Sequence, residues 1–234
     1  MMLESLDSLF AATVLFVGGH VLLSSLPIRG PLHRALGEQG FQAVYSLAMT
    51  GALLWMAAAY ANAPIRVLWT APPELAWGTA GLTALASFLV VAGVTTRSVT
   101  MVGGERFATG PQDPAPGIFR VTRHPFLWGV ALWALGHLAV NGDAASVLFF
   151  GGFVVLSLGG MWHIDQRRQQ TLGAAWGPIA LTTSVVPFQA ILAGRTHFDL
   201  KGIGWWRPLV AAALYALLVG LHPWLFGVSA LIMP

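Results

Sequence analysis

The sequence contains no cysteine and very few charged residues. The absence of cysteine excludes disulfides, thiolate metal ligands and cysteine nucleophiles. Only 9% of the residues are charged, whereas 56% are hydrophobic and the mean hydropathy is +0.70. This composition excludes an ordinary soluble domain and is typical of a polytopic membrane protein. The twelve Lys and Arg exceed the nine Asp and Glu by too little to indicate a nucleic-acid partner, so we interpret them as topology signals among membrane lipids.

The sequence contains several long hydrophobic runs. A helix needs about 20 residues to cross the hydrocarbon core of a bilayer. Six stretches are apolar and long enough to be predicted transmembrane helices: 8–26, 41–61, 75–95, 125–141, 144–162 and 208–228. No stretch has the period-two alternation of a membrane barrel strand. The sequence therefore predicts an all-α, polytopic membrane helix bundle that forms a single transmembrane domain over residues 1–234.

A seventh apolar stretch, residues 176–194, is predicted not to cross the membrane. Pro178, Pro187 and the run Thr182-Thr183-Ser184 weaken a continuous helix there. A full crossing would also move the three basic residues that follow it to the opposite side. We expect a re-entrant or interfacial segment with irregular backbone, and a short true span is the alternative.

The basic residues favour one side of the membrane. All of them except Arg66 fall in the first, third and fifth connections between the predicted spans. By the positive-inside rule these connections are cytoplasmic and both termini are periplasmic, so we expect a multi-pass protein of a bacterial inner (cytoplasmic) membrane. Pro27 and Pro31 predict that the first connection is a turn-rich loop.

Two of the seven histidines, His20 and His137, fall well inside predicted spans. An ionisable side chain at that depth is costly, which makes it a functional-site hypothesis. Two imidazoles on helices of an apolar bundle can ligate haem b, and no buried carboxylate or thiolate is predicted to complete a zinc site. The alternative is that both histidines only form hydrogen bonds between helices. The residues alone leave both interpretations open.

A second candidate site lies at the start of the fourth span, where Arg123 and His124 precede a proline. Together with Arg120 and Arg97 they could hold an anionic group such as a propionate, a carboxylate or a phosphate. They could equally contact lipid headgroups. Asp165, at the end of the fifth span, is part of a solvated helix end, a partner of the Arg123 region or a group that receives a proton.

These motifs resemble the NnrU family of membrane proteins over nearly the whole chain. The matching elements are Gly19-His20 followed by Arg29, Val121-Thr-Arg-His-Pro125, Leu135-Gly-His137 with Asn141-Gly142, Arg167-Arg168, Thr183-Ser-Val-Val-Pro-Phe188 and Ala193-Gly-Arg195. The family is linked by name to nitrite and nitric oxide metabolism in denitrifying bacteria. It is also similar to the plant 15-cis-zeta-carotene isomerases.

The resemblance implies haem b held by His20 and His137, which would then also be the catalytic residues. It implies isomerase-like or redox chemistry on or beside a lipophilic small molecule. The remaining candidates for cofactor binding are four basic residues: Arg29, Arg120, Arg123 and His124. This chain departs from the resemblance at Ala134. The plant enzymes look to have a cysteine at this position, three residues before the second histidine, and that cysteine is used in ligand exchange. A redox-driven ligand switch of that type is therefore not expected here.

Two alternatives come from other functional classes. Arg123-His-Pro-x-x-x-Gly129, Asp165 and Leu172-Gly-x-x-Trp176 are similar to motifs of the isoprenylcysteine and small-thiol membrane methyltransferases. That similarity implies S-adenosylmethionine bound near Arg123, His124 and Asp165, although Leu127 stands where a tyrosine is expected. The other alternative is a non-enzymatic accessory factor whose partners are denitrification proteins.

Overall fold

The computed structural model describes residues 5–101, 103–108, 113 and 115–231. Within these residues the chain is helical, with no β-strand other than one isolated bridge. The α-helices are α1 (Leu6–Ser24), α2 (Leu26–Ala61), α3 (Leu75–Thr95), α4 (Ile118–Val121), α5 (Pro125–Val140), α6 (Ala144–Leu172), α7 (Trp176–Thr182), α8 (Gln189–Leu192), α9 (Leu200–Ile203) and α10 (Trp206–Phe226). Short 3₁₀ turns occupy Gly104–Phe107 and Gly173–Ala175.

The long helices coincide with the six predicted spans. Five are long and apolar enough to cross a membrane: α1, α2, α3, α10 and the stretch 144–182 that begins with α6. The sixth, α5, is equally apolar but has 16 residues. At 1.5 Å per residue it is about 24 Å long, slightly less than the hydrocarbon core. The predicted class, a polytopic α-helical membrane protein, is confirmed.

The first connection is helical, so the prediction of a turn-rich loop there is wrong. α1 ends at Ser24, and Ser25 is extended, which allows α2 to begin immediately. Pro27 lies in the first turn of α2, where its missing N–H would have had no helical partner. The break comes instead at Gly37, whose φ of 69° and ψ of 174° are readily adopted only by glycine.

The chain divides into two compact units, of which the first comprises Met1–Pro72 and His137–Leu156. In it α1 and α2 pack side by side in opposite directions. Trp55 donates to Ser8 at 3.3 Å, and Gly19 lies directly against Met49. The small and apolar side chains of this core are Leu9, Ala12, Phe16, Ala52, Met56, Ala59 and Ala145.

Two connections of the first unit meet at one end of its helices. The N–H groups of Leu68 and Trp69 donate to the carbonyl of Gly142, at 2.7 and 3.0 Å. Val67 and Asp143 form an isolated antiparallel bridge beside them. The connection after α2 and the connection after α5 therefore lie at the same end, as the predicted alternation of spans requires. The orientation of the termini stays a prediction.

The second unit comprises Pro73–Gly136 and Ser157–Pro234. α10 runs back along α3, because Arg207 at its start donates to the hydroxyl and carbonyl of Thr95, at 2.8 and 3.0 Å, at the end of α3. The main buried cluster of this unit is Leu89, Ala92, Ala115, Ile118, Phe119, Val121 and Ile203. A smaller one is formed by Val99, Trp176 and Ile179.

Residues 176–194 form the irregular segment that the sequence predicts. α7 has seven residues, α8 has four, and the backbone between them is not helical. Neither helix approaches the roughly 20 residues of a membrane span. Phe188, just before α8, has a φ of 65°, which is unusual for a residue with a side chain. The alternative of a short true span is not supported, and the interfacial or re-entrant placement stays a prediction.

The contact between α5 and α3 depends on Gly129. A Cβ atom at this position would lie 2.8 Å from Val90 Cγ2 and 2.9 Å from the Ala86 carbonyl oxygen. Since a backbone oxygen cannot move aside easily, Gly129→Ala should lower the free energy of unfolding by about 1–3 kcal/mol. The measurement is the thermal midpoint of the detergent-purified protein. Gly151→Ala is the matched control, because a Cβ there meets nothing within 4 Å. Equal midpoints for the two variants would contradict the close approach.

Candidate functional site

A buried polar cluster lies in the second unit, where the chain enters α5. Arg123 Nε donates to Asp165 Oδ2 at 2.8 Å, and His124 Nε2 donates to Asp165 Oδ1 at 2.8 Å. The side chain of His124 is 2% exposed and that of Asp165 is 14% exposed. One carboxylate thus holds two neighbouring donors away from water. Of the sequence alternatives for Asp165, the structure shows the pairing with Arg123.

Arg123 also connects this cluster to the irregular segment. Its Nη1 donates to the Thr183 hydroxyl at 3.1 Å, and its backbone N–H donates to the Ser184 carbonyl at 2.9 Å. Its guanidinium carbon lies 5.5 Å from the ring centre of Trp176, within the range of a cation–π contact. The carbonyl of Val185 accepts a further bond from Trp128 at 2.8 Å. These bonds pair backbone carbonyls of Ser184 and Val185, which lie outside any helix and so have no helical partner.

One basic side chain near the end of α6 is buried, although residues 169–171 after it are exposed. Arg168, one turn after Asp165, is 1% exposed, and its Nη2 donates to the Met101 carbonyl at 2.8 Å. Thr100, the preceding residue, donates to the Arg123 carbonyl at 2.8 Å. The connection that follows α3 therefore meets the start of α5 and the end of α6 in one polar region.

Burial favours the neutral form of His124. Burial lowers the pKa of His124 below its ordinary value of 6.5, and the hydrogen bond to Asp165 opposes only part of that effect. A neutral imidazole can still donate from Nε2 to the carboxylate. The charge of Asp165 is consequently compensated by Arg123, while His124 contributes a hydrogen bond.

The two intramembrane histidines both lie in the first unit. His20 donates from Nδ1 to the Phe16 carbonyl at 2.7 Å, which leaves Nε2 as its basic nitrogen. Its ring makes edge contacts with Phe16 and Tyr45, with centroids 4.6 and 5.7 Å apart. His137 stacks on Phe150 at a centroid distance of 5.1 Å and an angle of 25°. Each imidazole is thus set against aromatic rings.

A run of ring contacts, which we call the aromatic cluster, extends between these histidines. It consists of Phe16, Phe153, Phe149 and Phe150, with successive centroids 5.5, 5.3 and 5.1 Å apart. Tyr60 stacks on Phe149 at 4.5 Å. Edge-to-face and stacked pairs of this kind build a rigid apolar surface. His20 and His137 lie at its two ends.

These residues fit haem b by their donor chemistry. A metal-bound histidine usually donates its other ring N–H to a carbonyl or carboxylate, as His20 does to Phe16. A porphyrin also suits an apolar site rich in flat rings. In the part of the chain that the structure describes, no three His, Asp or Glu side chains converge to hold a metal ion. Haem needs only two protein ligands, so two imidazoles are sufficient donors for it, and its presence stays a prediction.

Arg29, the remaining candidate in the first unit, lies in α2. Its guanidinium carbon is 4.9 Å from the ring centre of Phe41, which is a cation–π contact. Its assignment to cofactor binding stays a prediction.

The other arginines each have a different partner among the described residues. Arg97 lies over the ring of Phe107 at 5.9 Å, Arg120 pairs with Asp113 at 2.6 Å, and Arg123 pairs with the carboxylate in α6. Their joint role in holding an anionic group stays a prediction.

Several contributing residues were not assigned a role from the sequence. Thr183 and Trp176 were noted only as parts of motifs, yet both contact Arg123. Asp199 accepts the backbone N–H groups of Gly117 and Gly202, each at 2.9 Å, and these bonds lower its pKa. An aspartate just before a short helix is a recognisable N-cap signal, so the bond to Gly202 was predictable. The bond to Gly117 connects distant parts of the chain and was not.

The fold and these clusters define a multi-pass α-helical membrane protein. Within that class the chain belongs to the NnrU family, since the family model described as NnrU protein matches residues 8–230. The chain is similar to the 15-cis-zeta-carotene isomerase of Zea mays, with 38% identity over 79 residues, covering 34% of this chain and 22% of that protein. It is similar to the Arabidopsis thaliana enzyme of the same name, with 34% identity over 116 residues, covering 48% and 32%. The matches thus span a third or less of those relatives, and no solved structure matches the chain.

Asp165→Asn should destabilise the second unit. The substitution leaves Arg123 in a largely buried position without a counter-charge, which should lower the free energy of unfolding by about 3 kcal/mol. Denaturation of the detergent-purified protein measures this. Glu38→Gln is the control, because it removes an exposed carboxylate of α2. Similar losses in both variants would show that the Asp165 cluster contributes no special stability.

The burial of His124 predicts a loss of stability in acid. Its pKa is lowered in the folded protein and is 6.5 when unfolded, so below that pH the unfolded chain binds more protons. Stability should be full above about pH 6.5 and decrease as the pH falls toward the folded pKa. The thermal midpoint measured at about pH 7.5 and about pH 5.5 tests this. His124→Gln, which donates without titrating, should reduce the difference, whereas His33→Gln should not. An unchanged pH dependence in His124→Gln would refute the proposed origin.

Proposed function

We propose that the protein is a haem b-dependent, isomerase-like enzyme that acts on a double bond of a lipophilic polyene within the bacterial inner membrane. The observation that carries the proposal is the placement of His20 and His137 at the ends of the aromatic cluster. Membership of the NnrU family and similarity to proteins named 15-cis-zeta-carotene isomerase support the type of reaction.

His20 and His137 would hold the haem through their imidazole nitrogens. When bound, haem b would supply an iron centre able to exchange electrons or to polarise a conjugated system. The Phe16 carbonyl orients the ring of His20 through its Nδ1–H bond, and Phe150 supports the ring of His137 by stacking. The chain thus fixes both rings by short-range contacts.

The aromatic cluster would bind the substrate. Its rings are apolar, and they exclude water from the space beside the histidines. A long conjugated hydrocarbon has no polar group to recognise, so it is bound by apolar contact and shape. Large apolar side chains exposed along α1 and α2, including Phe10, Leu15, Leu47 and Leu54, provide an apolar surface from which such a molecule can enter out of the lipid.

The basic residues near α5 are better explained without a cofactor. Arg123 and His124 both direct donors to Asp165, so these donors are not open to an S-adenosylmethionine carboxylate. This observation does not favour the methyltransferase alternative. An accessory role in nitrite or nitric oxide metabolism rests on the family name, and it predicts a stable partner complex without turnover. Arg29 stays the candidate for a haem propionate in the first unit.

The test is an assay of purified, haem-supplied protein with 15-cis-zeta-carotene. Wild-type protein should retain haem b, measured by pyridine haemochrome absorption. It should also convert the 15-cis isomer, measured by chromatography. His20→Ala and His137→Ala should each abolish haem retention and conversion while the protein still inserts. His222→Ala is the control, since its ring contacts Val228 and Phe226 near the end of α10 and is not part of the aromatic cluster.

The outcomes separate the parts of the proposal. Unchanged haem content in both histidine variants would refute the ligand assignment. Haem retention by wild type without conversion of any polyene would refute isomerase activity and favour a redox or accessory role.

A further inference from the structure

A cationic cleft lies in the second unit, apart from the Asp165 cluster. It is open, has a volume of about 410 Å³, and includes among its lining residues Asp113, Arg120, Thr182, Arg195 and His197. Two of these side chains are permanently charged arginines, whereas one is a carboxylate. The arginines and the carboxylate of the lining alone therefore leave a positive balance.

Arg120 is crowded by another donor group. Its Nη2 donates to Asp113 at 2.6 Å, while its Nη1 lies 2.9 Å from His197 Nδ1 and even closer to His197 Nε2. A guanidinium has only donors, and a neutral imidazole has one acceptor nitrogen. Asp113 faces this pair within the cleft, and the charge of Asp199 also acts on Arg120 although both its oxygens accept backbone N–H groups. The charge of Arg120 is therefore largely compensated, and an anion in the cleft would need a second cation.

Arg195 is positioned to bind such an anion. Its Nη1 donates to the Leu181 carbonyl at 2.6 Å and lies near the Ala180 and Thr183 carbonyls at 3.5 and 3.4 Å. These bonds fix the guanidinium at the wall of the cleft and use a single nitrogen. Nε and Nη2 are left to form the paired donor bonds with which arginine recognises phosphate.

Exposed apolar side chains lie in the segment 176–194 that supplies part of the cleft. Leu181, adjacent to Thr182, is 61% exposed, and Leu192 in α8 is 86% exposed. Val186 and Phe188, in the backbone between α7 and α8, are also about half exposed. Exposed apolar side chains beside a cationic cleft match the two parts of an amphiphile, an anionic headgroup and hydrocarbon chains. A soluble phosphate compound would not need these apolar side chains.

We propose that the cleft binds the phosphate group of an anionic membrane lipid through Arg120 and Arg195, with the lipid chains along the exposed apolar residues of 176–194. This site does not depend on the proposed enzymatic function. It assigns a lipid ligand to residues that the haem proposal leaves unused.

The test titrates detergent-purified protein with phosphatidylglycerol, phosphatidylcholine or glycerol 3-phosphate, and follows binding by native mass spectrometry and by the shift in thermal midpoint. Wild type should bind phosphatidylglycerol and be stabilised by it. Arg120→Gln should weaken the apparent affinity about tenfold, the cost of one lost charge-assisted bond. Lys201→Gln, which removes an exposed cation of α9, should not.

Arg195 requires a gentler substitution because it also supports the backbone of α7. Arg195→Lys keeps the charge but not the paired donors, so it should weaken phosphatidylglycerol binding while the protein stays folded. Equal responses to phosphatidylglycerol and phosphatidylcholine, or equal losses in Arg120→Gln and Lys201→Gln, would overturn the proposal. Equal binding of glycerol 3-phosphate would overturn the lipid assignment in favour of a soluble phosphate ester.

Discussion

The pairing of Asp165 with Arg123 and His124 is the interaction on which the second unit depends. It joins the end of α6 to the start of α5, and Arg123 extends the connection to Thr183. A largely buried carboxylate is tolerated because a cation and a neutral donor both face it. The irregular backbone of 176–194 is supported by bonds that a helix does not supply, from the backbone N–H of Arg123 to Ser184 and from the side chains of Thr122 and Trp128 to Val185.

The first unit is built on a different principle. Its core consists of small aliphatic side chains and aromatic rings, and His20 and His137 both contact those rings. Polar contacts gather where α6 begins, where Ser146 donates to Asp143 at 2.6 Å and contacts the Tyr60 hydroxyl at 3.0 Å. Apolar molecules and a porphyrin suit this unit, whereas anionic groups suit the second. The two proposed ligand classes thus follow the chemistry of the two units.

The sequence predicts the helices well because lipid leaves the backbone few other solutions and run length alone reports a span. It fails at the first connection, where Pro27 begins a helix instead of preventing one. Depth along the spans identifies His20 and His137, but not the rings between them, because which face of α6 meets α1 is decided by packing. Likewise, proximity in the chain groups Arg120 with Arg123, whereas their actual partners are decided by long-range contacts.

The residue at position 134 constrains the chemistry that the first proposal allows. Ala134 is fully buried in α5, three residues before His137, at the position where the resemblance to plant isomerases implies a cysteine. Since the chain has no thiol, a ligand exchange between sulfur and imidazole cannot occur in it. The contacts that orient the two rings are the bond of His20 to Phe16 and the stacking of His137 on Phe150, and neither involves sulfur. An isomerase of this sequence would therefore have to open its cofactor to substrate by a route other than exchange with a neighbouring thiolate.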